Sequence, residues 1–127
     1  MGKYESPYLA LGSDGIKALV DHFYDLMDNA PKYKALREMH AVDLSSVRGK
    51  LTDYLIGWMG GPQIYLEKYG SVCMTGPHES FRIGTKERDL WVACMYESME
   101  SMDVDDEVQL MLRKPLARLA DAVRNTH

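Results

Sequence analysis

The sequence predicts an all-α protein, and three observations carry that reading. In one segment Ile16, Leu19, Val20, Phe23 and Met27 recur at helical spacing, and in another Leu44, Val47, Leu51, Tyr54, Leu55 and Trp58 do the same. Glycine and proline fall between the periodic runs as stops, at Gly12, at Gly60-Gly61-Pro62 and at Gly70. No segment reads convincingly as a strand, and there is no internal repeat or low-complexity linker.

Taken in order, Ser6-Pro7 reads as an N-cap followed by proline at the first helical position, and Gly12 stops that helix after one or two turns. A second helix starts at Ser13 or Asp14 and carries the first apolar stripe, with Tyr24 at its edge. A short third helix is expected from Pro31 toward Met39, and Asp43 is placed to cap the next one. That helix has the widest aromatic face in the chain and ends at Gly60-Gly61-Pro62. From there to Gly84, glycines and prolines keep any helix short. Two turns fit between Pro62 and Tyr69, a loop from Ser71 to Thr75, and a stub of helix around His78. Thr85 is placed to cap a long helix with Leu90, Trp91, Cys94 and Met95 inward and Glu87 in its first turn. The acidic run Asp103, Asp105, Asp106, Glu107 marks a turn. The last helix then carries Val108, Leu112, Leu116, Leu119 and Val123, with a kink expected at Pro115 because proline has no amide proton to give.

Length and composition narrow the function classes. A chain of 127 residues suits a single domain, residues 1–127, large enough for one hydrophobic core. A net charge of -4 argues against a nucleic-acid partner, which needs a basic face. No apolar run approaches the ~20 residues of a membrane span, and the N-terminus lacks the apolar core of a secretory signal, so the chain reads as cytoplasmic. In that compartment Cys73 and Cys94 are expected to stay reduced and to pack as small hydrophobes.

The catalytic inventory is thin. There is no paired-histidine spacing, no Cys-x-x-Cys, no nucleophile elbow and no phosphate-binding loop; Gly57-Trp58-Met59-Gly60-Gly61 lacks the lysine such a loop needs and reads as a helix stop. Of the four histidines, His22 lies on the polar side of its helix and His127 is terminal, so both read as solvated. His40 reads as a helix-end residue. His78 sits among apolar residues without a second histidine at metal-pairing spacing, which suits a metal carried by a cofactor such as heme. By position alone, however, the commoner outcome is a loop histidine satisfied by hydrogen bonds.

A resemblance tips that balance. Phe23-Tyr24, then Gly60-Gly61-Pro62 with Tyr65 and Glu67, then His78 with Phe81 and Ile83, then Glu87-Arg88-Asp89-Leu90-Trp91 and Cys94-Met95 occur in the order and separations of the group II truncated hemoglobins. The likeness runs from Pro7-Tyr8 through the last helix. It implies a globin shortened to a two-over-two helical sandwich around heme b (iron protoporphyrin IX), with His78 as the proximal iron ligand. It also implies that Phe23, Val47, Leu51, Tyr54, Leu55, Phe81, Ile83 and Trp91 contact the heme, and that Tyr24 and Trp91 donate hydrogen bonds on the distal side. Without the resemblance, both would read as core aromatics with a local partner.

Two positions depart from the family. His40 stands where the family places a distal aromatic, so it is expected to donate a hydrogen bond to the ligand or, as the second choice, to bind the iron from the distal side. The two basic residues that precede the proximal histidine in the family are missing from Ser71-Val72-Cys73-Met74-Thr75-Gly76-Pro77. Charge-assisted bonds to the heme propionates, each worth about 1.5–3 kcal/mol, must then come from Lys50, Tyr65 or Arg82. The function implied is tight binding of oxygen, carbon monoxide or nitric oxide, for oxygen, nitric oxide or peroxide handling rather than bulk transport. The alternatives are a heme enzyme, a peroxidase or nitric-oxide dioxygenase served by a reductase, and a heme-free helical module. The chain is expected to be a monomer or homodimer.

Overall fold

In the computed structural model, which describes residues 5–71 and 82–125, every regular element among the described residues is helical. Helix α1 (Pro7–Asn29) opens with the Ser6 hydroxyl accepting from the backbone N–H of Leu9 and Pro7 at its first position. At Gly12 the backbone leaves the helix, with φ +69°, a conformation costly for any residue bearing a Cβ. The expected stop and restart are both there, joined end to end. Beyond it Ile16, Leu19, Val20, Phe23 and Met27 are all buried, and so is Tyr24, the expected edge residue.

The third expected helix divides in two. Pro31–Tyr33 forms a single 3-10 turn, and α2 (Lys34–Glu38) follows without a break. Arg37 ties it down by donating to Asp28 at 2.8 Å and to the carbonyls of Ala41 and Val42. Asp43 accepts from the N–H of Ser45 at 2.9 Å and so caps α3 (Ser45–Trp58) from one residue further out than expected. On α3, Leu55 and Ile56 are buried, while Val47, Leu51, Tyr54 and Trp58 are only half-buried although they pack on the core.

The end of α3 is where the chain docks its own beginning. The Met59 carbonyl accepts from the N–H of Tyr8, and Gly61 N–H returns to the Ile56 carbonyl at 2.8 Å. A Cβ at Gly61 would stand 2.5 Å from the Tyr8 ring and 2.9 Å from the Ile56 carbonyl oxygen. Gly61→Ala is therefore expected to destabilise the fold by about 1 kcal/mol, lowering the thermal midpoint by roughly 3–5 °C in a calorimetric scan. Helix α4 (Ile64–Tyr69) is short and ends at Gly70 in the left-handed region.

Helix α5 (Thr85–Ser101) corrects the expected cap. Gly84, not Thr85, holds the cap position, and the Glu87 carboxylate reaches back to accept from the Gly84 N–H at 2.8 Å. Asp103, at φ +58°, turns the chain into α6 (Asp106–Ala122), where Asp105 caps by accepting from the Glu107 N–H. Pro115 lies inside α6, and the helix continues past it to Ala122. Helix α1 packs on α3 and on α5, and α5 packs on α6, which gives a two-over-two sandwich of α1 and α3 against α5 and α6. Its core runs through Phe23, Leu55, Met95, Met99, Leu112 and Leu116. Among the described residues no helix is long and apolar enough to cross a membrane.

Candidate functional site

Phe23 organises the site. Its ring meets Tyr24 edge-on at 5.0 Å and Trp91 of α5 edge-on at 5.5 Å, so two helices bring a phenol and an indole to the same buried aromatic. Adjacent positions on a helix diverge by about 100°. Tyr24 accordingly leans toward α2 and α3, and its ring lies 5.8 Å from that of His40. The family likeness predicts Phe23, Tyr24, His40 and Trp91 around one cofactor, and the structure places their rings in a row, Trp91 on Phe23, Phe23 on Tyr24 and Tyr24 on His40.

Each group is held differently. Tyr24 is 2% exposed, and burial pushes its hydroxyl well above the usual phenol range, with the positive charge of Arg48 opposing that push. Neither the Tyr24 hydroxyl nor the Trp91 indole N–H has a hydrogen-bond partner among the described residues. The His40 ring is oriented by its Nδ1–H donating to the Leu36 carbonyl at 2.9 Å, since a carbonyl only accepts. Cys94 Sγ donates to the Phe23 carbonyl at 3.5 Å, and burial pushes this thiol up to about 12. It is an inert packing residue, as expected for a thiol with no activating neighbour.

One wall of the site comes from α3. Val47, Leu51 and Tyr54 stay half-buried against the core, with Leu55 fully inside. Tyr54 continues into an aromatic row, 5.4 Å from Tyr65, which lies 4.6 Å from Tyr69. Lys50 is exposed, with its ammonium 5.9 Å from the Tyr69 ring. Arg82 is exposed, and Ile83 is buried and clamped by Asn125, which bonds it at both N–H and carbonyl, each at 2.8 Å. His22, expected to be solvated, is half-buried. His78, Phe81, Cys73 and His127 lie outside the described residues.

The donor set fits a heme. A half-buried apolar wall of Val47, Leu51 and Tyr54, with two donors that have no partner among the described residues, suits a flat apolar macrocycle carrying a polar gas. Among the described residues no three His, Cys, Asp or Glu side chains converge as a metal site of their own. Sequence reasoning missed Arg48, whose guanidinium carbon lies 5.8 Å from the Tyr24 ring centroid. The one available signal was Asp21 and Asp25, one turn apart on either side of Tyr24.

Comparison with known proteins shows the family of the chain. The bacterial-like globin family matches residues 6–125. The group 2 truncated hemoglobin YjbI of Bacillus subtilis (strain 168) is 28% identical over 109 residues, covering 86% of this chain and 80% of that protein. The group II 2-on-2 hemoglobin of Agrobacterium tumefaciens is 33% identical and superposes with a TM-score of 0.91 over 99% of this chain and 98% of the other. The cold-adapted truncated hemoglobin of Pseudoalteromonas haloplanktis TAC125 is 31% identical, with a TM-score of 0.91 over 97% of this chain and all 100% of the other.

Proposed function

We propose, from the premise that this chain belongs to the bacterial-like globin family, whose cofactor is heme, that it is a cytoplasmic group II truncated hemoglobin that binds oxygen tightly. The heme supplies the iron at which a diatomic gas adds. His78 would hold that iron through an imidazole nitrogen. Val47 and Leu51 exclude water from the distal side, and Tyr24 and Trp91 donate toward the gas. The observation that supports the reading is that Tyr24 and Trp91, on two helices, both stand edge-on to the Phe23 ring with no hydrogen-bond partner for either donor among the described residues. A related truncated hemoglobin of Bacillus subtilis, 28% identical with a TM-score of 0.85, is described as oxygen-avid, in keeping with strong distal donors.

Slow release suits sensing, scavenging or redox handling of oxygen, nitric oxide or peroxide rather than bulk transport, which needs the gas back. Redox turnover would draw on a reductase. With Nδ1–H given to the Leu36 carbonyl, neutral His40 presents Nε2 as an acceptor, and its ring stands against Tyr24, which favours a hydrogen-bonding role beside that phenol over iron ligation.

The absorption spectrum of the purified protein tests this directly. Reduced protein is expected to be high-spin without added gas and to shift sharply with carbon monoxide, and His40→Ala is expected to leave the unliganded spectrum unchanged. Failure to take up heme would sink the reading, and a low-spin spectrum that turns high-spin in His40→Ala would make His40 a ligand instead.

A further inference from the structure

Arg48 has a placement that a surface ion pair alone does not explain. It projects from α3 onto α1, where its Nη2 donates to Asp25 Oδ1 at 2.6 Å, and its Nη1 donates to the Asp21 carbonyl at 3.1 Å and to Asp21 Oδ1 at 3.3 Å. Lys17 donates to the other Asp21 oxygen at 2.9 Å, which fixes that carboxylate from the far side. Asp21 and Asp25 stand one turn apart with Tyr24 between them, so bonds to both hold the guanidinium over the Tyr24 ring, 5.8 Å from its centroid. The side chain is 26% exposed, so the cation is only partly hydrated.

The simpler alternative is a staple between α1 and α3. Exposed pairs of this kind contribute little to stability and would be indifferent to the identity of the ring beneath. A cation on the face of a phenol is not indifferent to it. It draws electron density from the ring and makes the O–H a stronger donor, the more so as shielding from water increases. Together with the rings of Phe23 and His40, at 5.0 and 5.8 Å, it restrains the Tyr24 ring.

We infer that Arg48 is a positioning residue for the distal donor. Anchored by Asp21 and Asp25, it fixes the Tyr24 ring and strengthens the hydrogen bond that the Tyr24 hydroxyl gives to a gas in the pocket. This deepens the functional proposal and rests on its assignment of Tyr24 as a donor.

The test is a double-mutant cycle on the holoprotein, with Arg48→Gln and Arg48→Lys made in the wild-type and Tyr24→Phe backgrounds. Oxygen off-rates and the C–O stretching frequency of the carbon monoxide form are read for each, and the ¹³C resonance of the hydroxyl-bearing Tyr24 carbon is read where Tyr24 is present. Arg48→Gln is expected to speed oxygen release about threefold, raise the C–O frequency and move the ¹³C resonance. Arg48→Lys, which keeps a cation, should recover most of each change. In Tyr24→Phe, Arg48→Gln should add almost nothing. Equal acceleration in both backgrounds, or an unmoved resonance, would reduce Arg48 to a staple while leaving Tyr24 a donor. A Tyr24→Phe protein that releases oxygen like wild type would overturn both assignments. Asp25→Asn, which loosens the anchor but keeps the cation, covers the case in which Arg48→Gln does not fold, and should shift the same readouts in the same direction; unchanged readouts there would count against Arg48.

Discussion

Trp91→Phe is expected to release oxygen about tenfold faster than the wild-type protein, the consequence of losing one hydrogen bond worth about 1.4 kcal/mol. The substitution isolates that bond well. Phenylalanine keeps an aromatic ring against Phe23, which the indole meets edge-on at 5.5 Å, so packing changes little. The indole N–H has no acceptor among the described residues, so its removal strands no group among them. Tyr24 remains as the second donor, which sets a ceiling on the effect. Stopped-flow displacement of oxygen by carbon monoxide measures it, and an unchanged off-rate would place the Trp91 N–H out of reach of the gas.

The parts of the fold legible in the sequence were those written in local periodicity and backbone permission. The α1 stripe from Ile16 to Met27 is buried throughout because a three-and-four spacing leaves only one face for the core. Gly12 and Gly60-Gly61 mark breaks because their backbone angles or crowding exclude a Cβ, and the residue type announces this. Finer choices were not legible. Pro31 was expected to open a helix, but proline fixes only one dihedral angle and is equally at home in the 3-10 turn that forms there. Thr85 looked like a cap, yet the Glu87 carboxylate reaches the N–H of Gly84 and sets the helix start there instead.

The site followed the same division. Tyr24, Phe23 and Trp91 were identified from a family likeness in motif order, and the geometry brings those three together with His40. Arg48 was invisible because its partners lie on another helix and it occupies the polar side of its own, where an arginine is unremarkable. The pairing of α1 with α3 gives it meaning, and pairing is a tertiary fact. Lys50, expected to anchor a propionate, has its ammonium 5.9 Å from the centroid of the Tyr69 ring.

The most direct measurement is the visible spectrum and heme retention of His78→Gly, with and without added imidazole. A single nitrogen–iron bond is assigned to this side chain. Its loss should leave heme bound weakly, through apolar burial alone, with an altered Soret band, and free imidazole should restore much of the original spectrum by filling the vacated position. A variant that keeps its heme as firmly as wild type and shows the same spectrum without imidazole would contradict the assignment of residue 78 as the iron ligand, on which the functional proposal rests.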